Sequence, residues 1–338
     1  MRTENLSQRL RTLGAKPCHE KRLLRAWLHA RPLDGQARRS STLPEGLREA
    51  LPELSDALGR LARLHSAHPG ADGSARLLVS LSDGQMVESV LLPRDGVCVS
   101  TQVGCAVGCV FCMTGRDGLL RQLGSAEIAA QVALARSLRP VRKVVFMGMG
   151  EPAHNLDNVV EAIDLLGTEG GIAHKNLVFS TVGDRRVFER LPLERVKPAL
   201  ALSLHTTDAE LRARLLPKAP RIAPEELIEL GERYARATGY PIQYQWTLLD
   251  GVNDSDAEID RVAALLEGKY AMMNFIAFNP VEGSPFARPS AGRLAAIIAR
   301  LRRYRIVACL RDSAGQDVEG GCGQLRARAQ GIGDTGRA

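Results

Sequence analysis

Three thiols fall within eight residues: Cys105, Cys109 and Cys112, in Gly104-Cys105-Ala106-Val107-Gly108-Cys109-Val110-Phe111-Cys112. Cysteine thiolates hold iron–sulfur clusters, and a four-iron cubane normally takes four of them. No fourth cysteine follows nearby, and no histidine is within reach along the chain. A cubane held at three corners leaves one iron with an open position, as catalytic metal sites do. A structural zinc loop is the plain alternative, but three ligands do not close its tetrahedron. The expected metal group is a [4Fe-4S] cluster on these three cysteines, with room for a second molecule on one iron.

Further candidates lie along the chain. Gly148-Met149-Gly150-Glu151-Pro152 offers glycines that let the backbone approach a ligand and a carboxylate for an ammonium group. Alone it would read as a plain strand-to-helix turn. Ser180-Thr181, Ser203-Leu204-His205 and Asn279-Pro280 bring hydroxyls, an imidazole and an amide able to bind ribose, carboxylate or an adenine edge. Cys322, in Gly320-Gly321-Cys322-Gly323, is flanked by glycines and reads as an exposed, mobile thiol. Cys98 reads as a buried strand cysteine and Cys309, in Ile306-Val307-Ala308-Cys309-Leu310, as a core residue. Cys18 has no supporting context.

The elements that must position these residues follow from periodicity. Residues 1 to 65 read as helical and basic, with leucines at helical spacing that include Leu6, Leu10, Leu47, Leu51, Leu54, Leu58, Leu61 and Leu64. A hairpin follows, Arg76–Leu81 and Val87–Leu92 around Ser82-Asp83-Gly84. Six strands are expected at 98–103, 143–147, 177–181, 199–204, 242–248 and 274–278. Helices are expected near 125–138, 157–166, 208–216, 224–237, 256–267 and 290–303. Strand–helix alternation implies parallel pairing, and six units fall short of the eight of a closed barrel. The expected fold is α/β, a partial (βα)6 barrel with a small N-terminal helical region and a β-hairpin extension. Its site belongs at the C-terminal ends of the strands, with the cluster loop directly after the first. The expected division is a basic, helical accessory domain at 1–70 that grips the RNA backbone, a hairpin extension at 71–95, the barrel at 96–310 and a C-terminal segment at 311–338 that carries Cys322.

The spacing Cys-x3-Cys-x2-Cys, with an aromatic before the last cysteine, resembles the radical S-adenosylmethionine (SAM) superfamily. There the open iron chelates SAM, and Gly148–Pro152 resembles the element that binds its amino group, with Met149 interrupting the glycine pair. Together with Val97–Cys105, Leu202-Ser203-Leu204-His205, Asp250-Gly251-Val252-Asn253-Asp254 and Cys322-Gly323-Gln324-Leu325, the chain is similar to the RlmN/Cfr family over residues 75–325. Those enzymes methylate an adenine base in RNA.

The resemblance implies two SAM molecules per turnover. One methylates Cys322; the other, on the cluster, yields a 5′-deoxyadenosyl radical that takes a hydrogen from that methyl group. The carbon radical adds to adenine, Cys98 then attacks Cys322 to form a transient disulfide, and Glu88 aligns with the proton acceptor. From its own context Glu88 reads as an outward-facing strand charge. Gly150, Glu151, Ser180, Ser203, Leu204, His205 and Asn279 are the implied SAM-binding residues. Carbon 2 or carbon 8 of adenine, 23S rRNA or tRNA, and a non-RNA substrate all stay open. An electron donor such as flavodoxin or ferredoxin is implied.

Composition is that of an ordinary soluble globular protein of 338 residues, 45% hydrophobic and 25% charged. Aromatics at 4% argue against an extended base-stacking platform. A net charge of +7 favours a polyanionic partner. Seven cysteines, an odd number, do not suggest a disulfide framework. With neither a secretory leader nor a membrane span in view, a cytoplasmic monomer is expected.

Overall fold

The computed structural model describes residues 1–35, 43–279, 284–311 and 323–329. Cys322 and Pro280 lie outside the described residues.

The chain begins with α1 (Thr3–Thr12), α2 (Pro17–Leu28), α3 (Glu45–Glu49) and α4 (Leu51–Arg60). Their leucines at helical spacing are the buried ones, among them Leu6, Leu10, Leu24, Leu28, Leu54 and Leu58. The helical reading fails at its end. Arg63–Pro69 is a strand, β1, and Leu64 is exposed on it. The leucine series breaks at Leu61 because β2 (Ala75–Ser80) offers Arg63–Pro69 a ladder, and tertiary pairing overrides the local period.

The hairpin β2 and β3 (Met86–Leu92) pairs antiparallel, and β3 in turn pairs with β4 (Gly96–Val99). Beyond β4 come a small hairpin, β5 (Gln102–Gly104) with β6 (Leu119–Gln122), then α5 (Ser125–Leu138), β7 (Lys143–Phe146), α6 (Leu156–Thr168) and β8 (Leu177–Thr181). These are followed by α7 (Arg185–Arg190), β9 (Ala199–Ser203), α8 (Ala209–Leu215), α9 (Pro224–Thr238) and β10 (Ile242–Leu248). The last elements are α10 (Asp256–Leu266), β11 (Ala271–Ala277), α11 (Ala291–Arg303), β12 (Ala308–Arg311) and α12 (Gln324–Ala329).

Among the described residues ten strands form one open sheet in the order β1-β2-β3-β4-β7-β8-β9-β10-β11-β12. From β4 to β12 every pairing is parallel. The fold is the expected α/β partial barrel, with two departures. A seventh parallel strand, β12, extends it. As an edge strand β12 has one neighbour and little cover, so Cys309 is exposed rather than core. The expected strand 98–103 is also broken. It ends at Val99 because Ser100 leaves the ladder for side-chain partners: its N–H donates to Gln131 Oε1 (2.9 Å), and its hydroxyl accepts from Met149 N–H (2.8 Å).

Strands β8 and β9 are buried nearly throughout, as parallel strands covered on both faces are. Helix α5 is enclosed almost all round. Its alanines, Ala126, Ala129, Ala130, Ala133 and Ala135, let it pack closely between the sheet, α2 and α6. No described helix is long and apolar enough to cross a membrane.

Candidate active site

The cluster loop does not directly follow the first barrel strand. It forms the connection within the β5–β6 hairpin, beyond the C-terminal end of β4. Gly104 sits at φ +79°, and a Cβ there would lie 2.1 Å from Gly118 O. Glycine alone fits, and the approach lets Cys105 N–H donate to the same oxygen (2.9 Å). Cys112 N–H returns to Cys109 O (3.0 Å) and turns the loop on itself. Helix α8 buttresses it, since Val110 N–H donates to Leu215 O (3.1 Å).

Cys105 is buried, whereas Cys109 and Cys112 are partly exposed. Val107, Val182, Leu216, Leu249 and Phe278 form the apolar wall around Cys105, with Phe111 at its edge. Phe111 meets the His205 ring edge to face, centroids 4.9 Å apart. Burial pushes the Cys105 thiol up to about 12. In the free protein these thiols hold their protons, and a metal group would displace them on binding.

A cavity of about 150 Å³ opens beside Cys109 and Cys112. Among the described residues no three His, Cys, Asp or Glu side chains converge on one metal ion. A cubane does not require that, because each thiolate binds a different iron. Three soft sulfur donors in an apolar wall fit such a cluster.

Glu151 lies in the turn that follows β7 and is buried. Its Oε1 accepts from Ala153 N–H and its Oε2 from Val182 N–H, each at 3.0 Å. Burial raises its carboxyl to about 7 against these bonds. The backbone N–H of Glu151 donates to Gln102 Oε1 (2.7 Å). Gly150, at φ +102°, allows this, since a Cβ there would lie 2.6 Å from the Gln102 side chain. Met149 has its own reason to interrupt the glycine pair: it is buried, and its sulfur accepts the N–H of Glu88 (3.3 Å).

Ser180, at the end of β8, is buried, and Ser203 at the end of β9 is partly so. Leu204 is fully buried. His205 adopts φ +63°, a left-handed conformation uncommon outside glycine but one that histidine enters more readily than most residues. Its Nδ1 accepts from Thr247 N–H (2.9 Å), leaving Nε2 as the donor. Burial, then Arg212, holds it down to about 3, so the ring is neutral. Asn279 lies past the end of β11, and its buried Nδ2 has no partner among the described residues.

Glu88 is not an outward-facing charge. It is 1% exposed, on β3 between β2 and β4. Its Oε2 accepts from the Arg76 guanidinium (3.2 Å), and its Oε1 from the backbone N–H of Arg326 on α12 (2.9 Å). The same segment touches the cluster loop, for a Cβ on Gly323 would meet Thr114 N at 2.7 Å. Cys98 is buried on β4, as expected of a strand cysteine, and burial pushes its thiol up to about 11.

Several residues of this site escaped the sequence. Arg76 and Arg212 are buried cations. Arg212 donates to the carbonyls of Val182 and Ser203 (3.1 Å for the latter), tying the ends of β8 and β9 together. Gln131 on α5 grips Ser89 and Ser100. Asn253 pins the His205 turn, donating to His205 O and Thr247 O (2.8 Å each). A charge in a short strand or helix signals exposure unless its neighbours in space are known. Only Asn253, within the motif-like Asp250–Asp254, carried a hint.

The basic N-terminal helices are less free than their composition suggests. Arg2, Arg9, Arg11 and Arg25 pair with Glu161, Glu53, Glu20 and Glu169. A cavity of about 840 Å³ bounded by Arg22, Arg25 and Arg31 lies near Glu169, just past the C-terminal end of α6. That end of a crossover helix faces away from the C-terminal ends of the strands, where the thiols are.

The radical SAM superfamily model matches residues 99–263. The chain is 71% identical over 329 residues to a "Probable RNA methyltransferase" of Azoarcus sp. (strain BH72), covering 97% of this chain and 95% of that one. It is likewise 71% identical over 330 residues to a "Probable RNA methyltransferase" of Thiobacillus denitrificans, covering 97% and 91%. A crystal structure of a radical SAM methyltransferase from Sphaerobacter thermophilus superposes with a TM-score of 0.82 at 34% identity, covering 96% and 97% of the two chains. With such identity over nearly the full length of its relatives, the chain belongs to the radical SAM superfamily, in a group named as probable RNA methyltransferases.

Proposed function

We propose that this protein is an RlmN/Cfr-type enzyme that methylates an adenine base in RNA, at carbon 2 of adenosine in 23S rRNA or tRNA, with Cys322 as methyl carrier. The observation that carries the reading is the course of the chain just after Cys322. Gly323 packs against Thr114, two residues from Cys112, and Arg326 N–H is bonded to Glu88. The names of the relatives support RNA as substrate, and the net charge of +7 suits a polyanion.

A cluster held by Cys105, Cys109 and Cys112 would, together with SAM, supply a radical able to take hydrogen from an unactivated methyl group. Glu151 would hold the SAM ammonium with the carboxylate lone pairs that Ala153 and Val182 leave over. Gly150, Ser180, Ser203, Leu204, His205 and Asn279 would bind the rest of the SAM molecule. An adenine ring carbon is too poor a nucleophile for direct transfer, so Cys322 takes a methyl group first, as a nucleophilic thiolate. After the carbon adds to the ring, Glu88 would accept the ring proton while the odd electron on the ring returns to the redox centre that supplied it, leaving a thioether between Cys322 and the base. Cys98 would then attack the Cys322 sulfur as a thiolate, forming a disulfide and breaking the carbon–sulfur bond; the released methylene carbanion takes a proton to become the methyl group.

Replacing Cys98 by alanine tests the sequence of events. The variant should accumulate RNA covalently bound to the protein, seen as a band that survives denaturing electrophoresis. Full turnover by Cys98→Ala would contradict the assigned release step.

A further inference from the structure

Cys98, Glu88 and Arg76 share one face of the sheet. Arg76 on β2 lies directly opposite Val90 on β3, and Val90 directly opposite Cys98 on β4. Residues opposite one another across strands point to the same face, and Glu88, two before Val90, points there too. Strands about 4.8 Å apart place an arginine from β2 within reach of a group on β3. Its guanidinium meets Glu88 Oε2 at 3.2 Å, with both side chains at most 2% exposed.

A buried ion pair is a poor source of stability, since desolvating two charges offsets their attraction. Its effect here is directional. Arg76 takes one carboxylate oxygen and turns the other to the C-terminal segment, where it receives the N–H of Arg326 at 2.9 Å. Burial pushes the Glu88 carboxyl up against the pull of the backbone N–H groups and Arg76; when it is ionised, that bond is one of the stronger kind. The contact spans 238 positions of sequence and is the point where α12 joins β3.

We propose that Arg76 is a positioning residue: it fixes the Glu88 carboxylate so that Glu88 grips the backbone of the segment following Cys322 and holds that segment at the cluster loop. Its meaning for catalysis rests on the reading of Cys322 as methyl carrier; its geometry does not. Glu88 is thereby an anchor as well as a proton acceptor, and loss of Arg76 loosens the segment without touching a cluster ligand.

Hydrogen–deuterium exchange on the cluster-loaded protein, without RNA or SAM, tests this. In Arg76→Met the amides of residues 323–326 should exchange about tenfold faster than in the wild type. Arg76→Lys, which keeps the charge but not the fork, should fall between, and Glu88→Gln should match Arg76→Met. Iron and sulfide content and exchange in β8–β10 should stay unchanged. Wild-type exchange at 323–326 in Arg76→Met, or in both Arg76→Lys and Glu88→Gln should Arg76→Met not fold, overturns the proposal. The same preparations, weighed after exposure to SAM, should show less methylated Cys322 in Arg76→Met. Absence of methylation even in the wild type would refute the carrier role of Cys322 and leave the exchange result standing.

Discussion

Alanine at Gly104 should damage the cluster loop far more than alanine at Gly108, although both glycines have left-handed backbones at φ +79° and +67°. A side chain in that region costs about 1–2 kcal/mol at either position. At Gly108 nothing lies within 4 Å of the added Cβ, so that cost is the whole of it. At Gly104 the Cβ would stand 2.1 Å from Gly118 O, a backbone atom that must retreat by about 1 Å to restore ordinary contact. The retreat breaks the bond from Cys105 N–H to that oxygen (2.9 Å) and strands a buried polar group, for about 1–3 kcal/mol more. Gly104→Ala should therefore lose about 2–5 kcal/mol and Gly108→Ala about 1–2. Denaturant midpoints of the metal-free protein measure that difference. Iron and sulfide per chain after reconstitution should fall in Gly104→Ala and hold in Gly108→Ala. Equal midpoints and equal loading in the two variants would refute this account of the loop.

Glu151→Gln replaces one acceptor oxygen by an NH2 facing Ala153 N–H or Val182 N–H. The stranded N–H costs stability, and the lost charge-assisted bond to the SAM ammonium is worth about 1.5–3 kcal/mol, so SAM affinity, read by equilibrium dialysis, should drop by one to two powers of ten with iron content unchanged. Burial works against the Glu258 carboxylate, but Thr207 N–H, the hydroxyls of Thr206 and Thr207, and Arg261 hold it below the ordinary range. Because its folded value lies below its unfolded one, about 4.3, its contribution is full above that pH and is lost as pH falls through the folded value. Glu258→Gln should be less stable than wild type at pH 7, the gap closing in acid; a gap constant with pH would contradict the assignment.

The reaction class was legible from Cys105, Cys109 and Cys112 because cluster ligation is a matter of residue type and short spacing. The parallel strands were legible because apolar runs such as Leu177–Phe179 repeat between helical periods. Glu88 was not: on a hairpin strand, which face is covered depends on α12, whose contact lies 238 positions away. Arg76 and Arg212 were hidden for the same reason, a charged side chain being read as solvated until its enclosure is seen. Leu64 kept the helical period and lost it to a ladder with β2. At Ser100 a single residue's side-chain bonds ended a strand that propensity would have continued.

The central claim, a methyl group carried on Cys322 to adenine in RNA, is tested most directly by isotope. The reconstituted protein is given SAM with a fully deuterated methyl group, a reductant and RNA, and both the nucleosides and the cleaved cofactor are weighed. The account predicts methyladenosine that has lost one of its three deuteriums, with that deuterium found in 5′-deoxyadenosine, and no product from Cys322→Ala. Methyladenosine retaining the intact label, or undiminished product from Cys322→Ala, would contradict it.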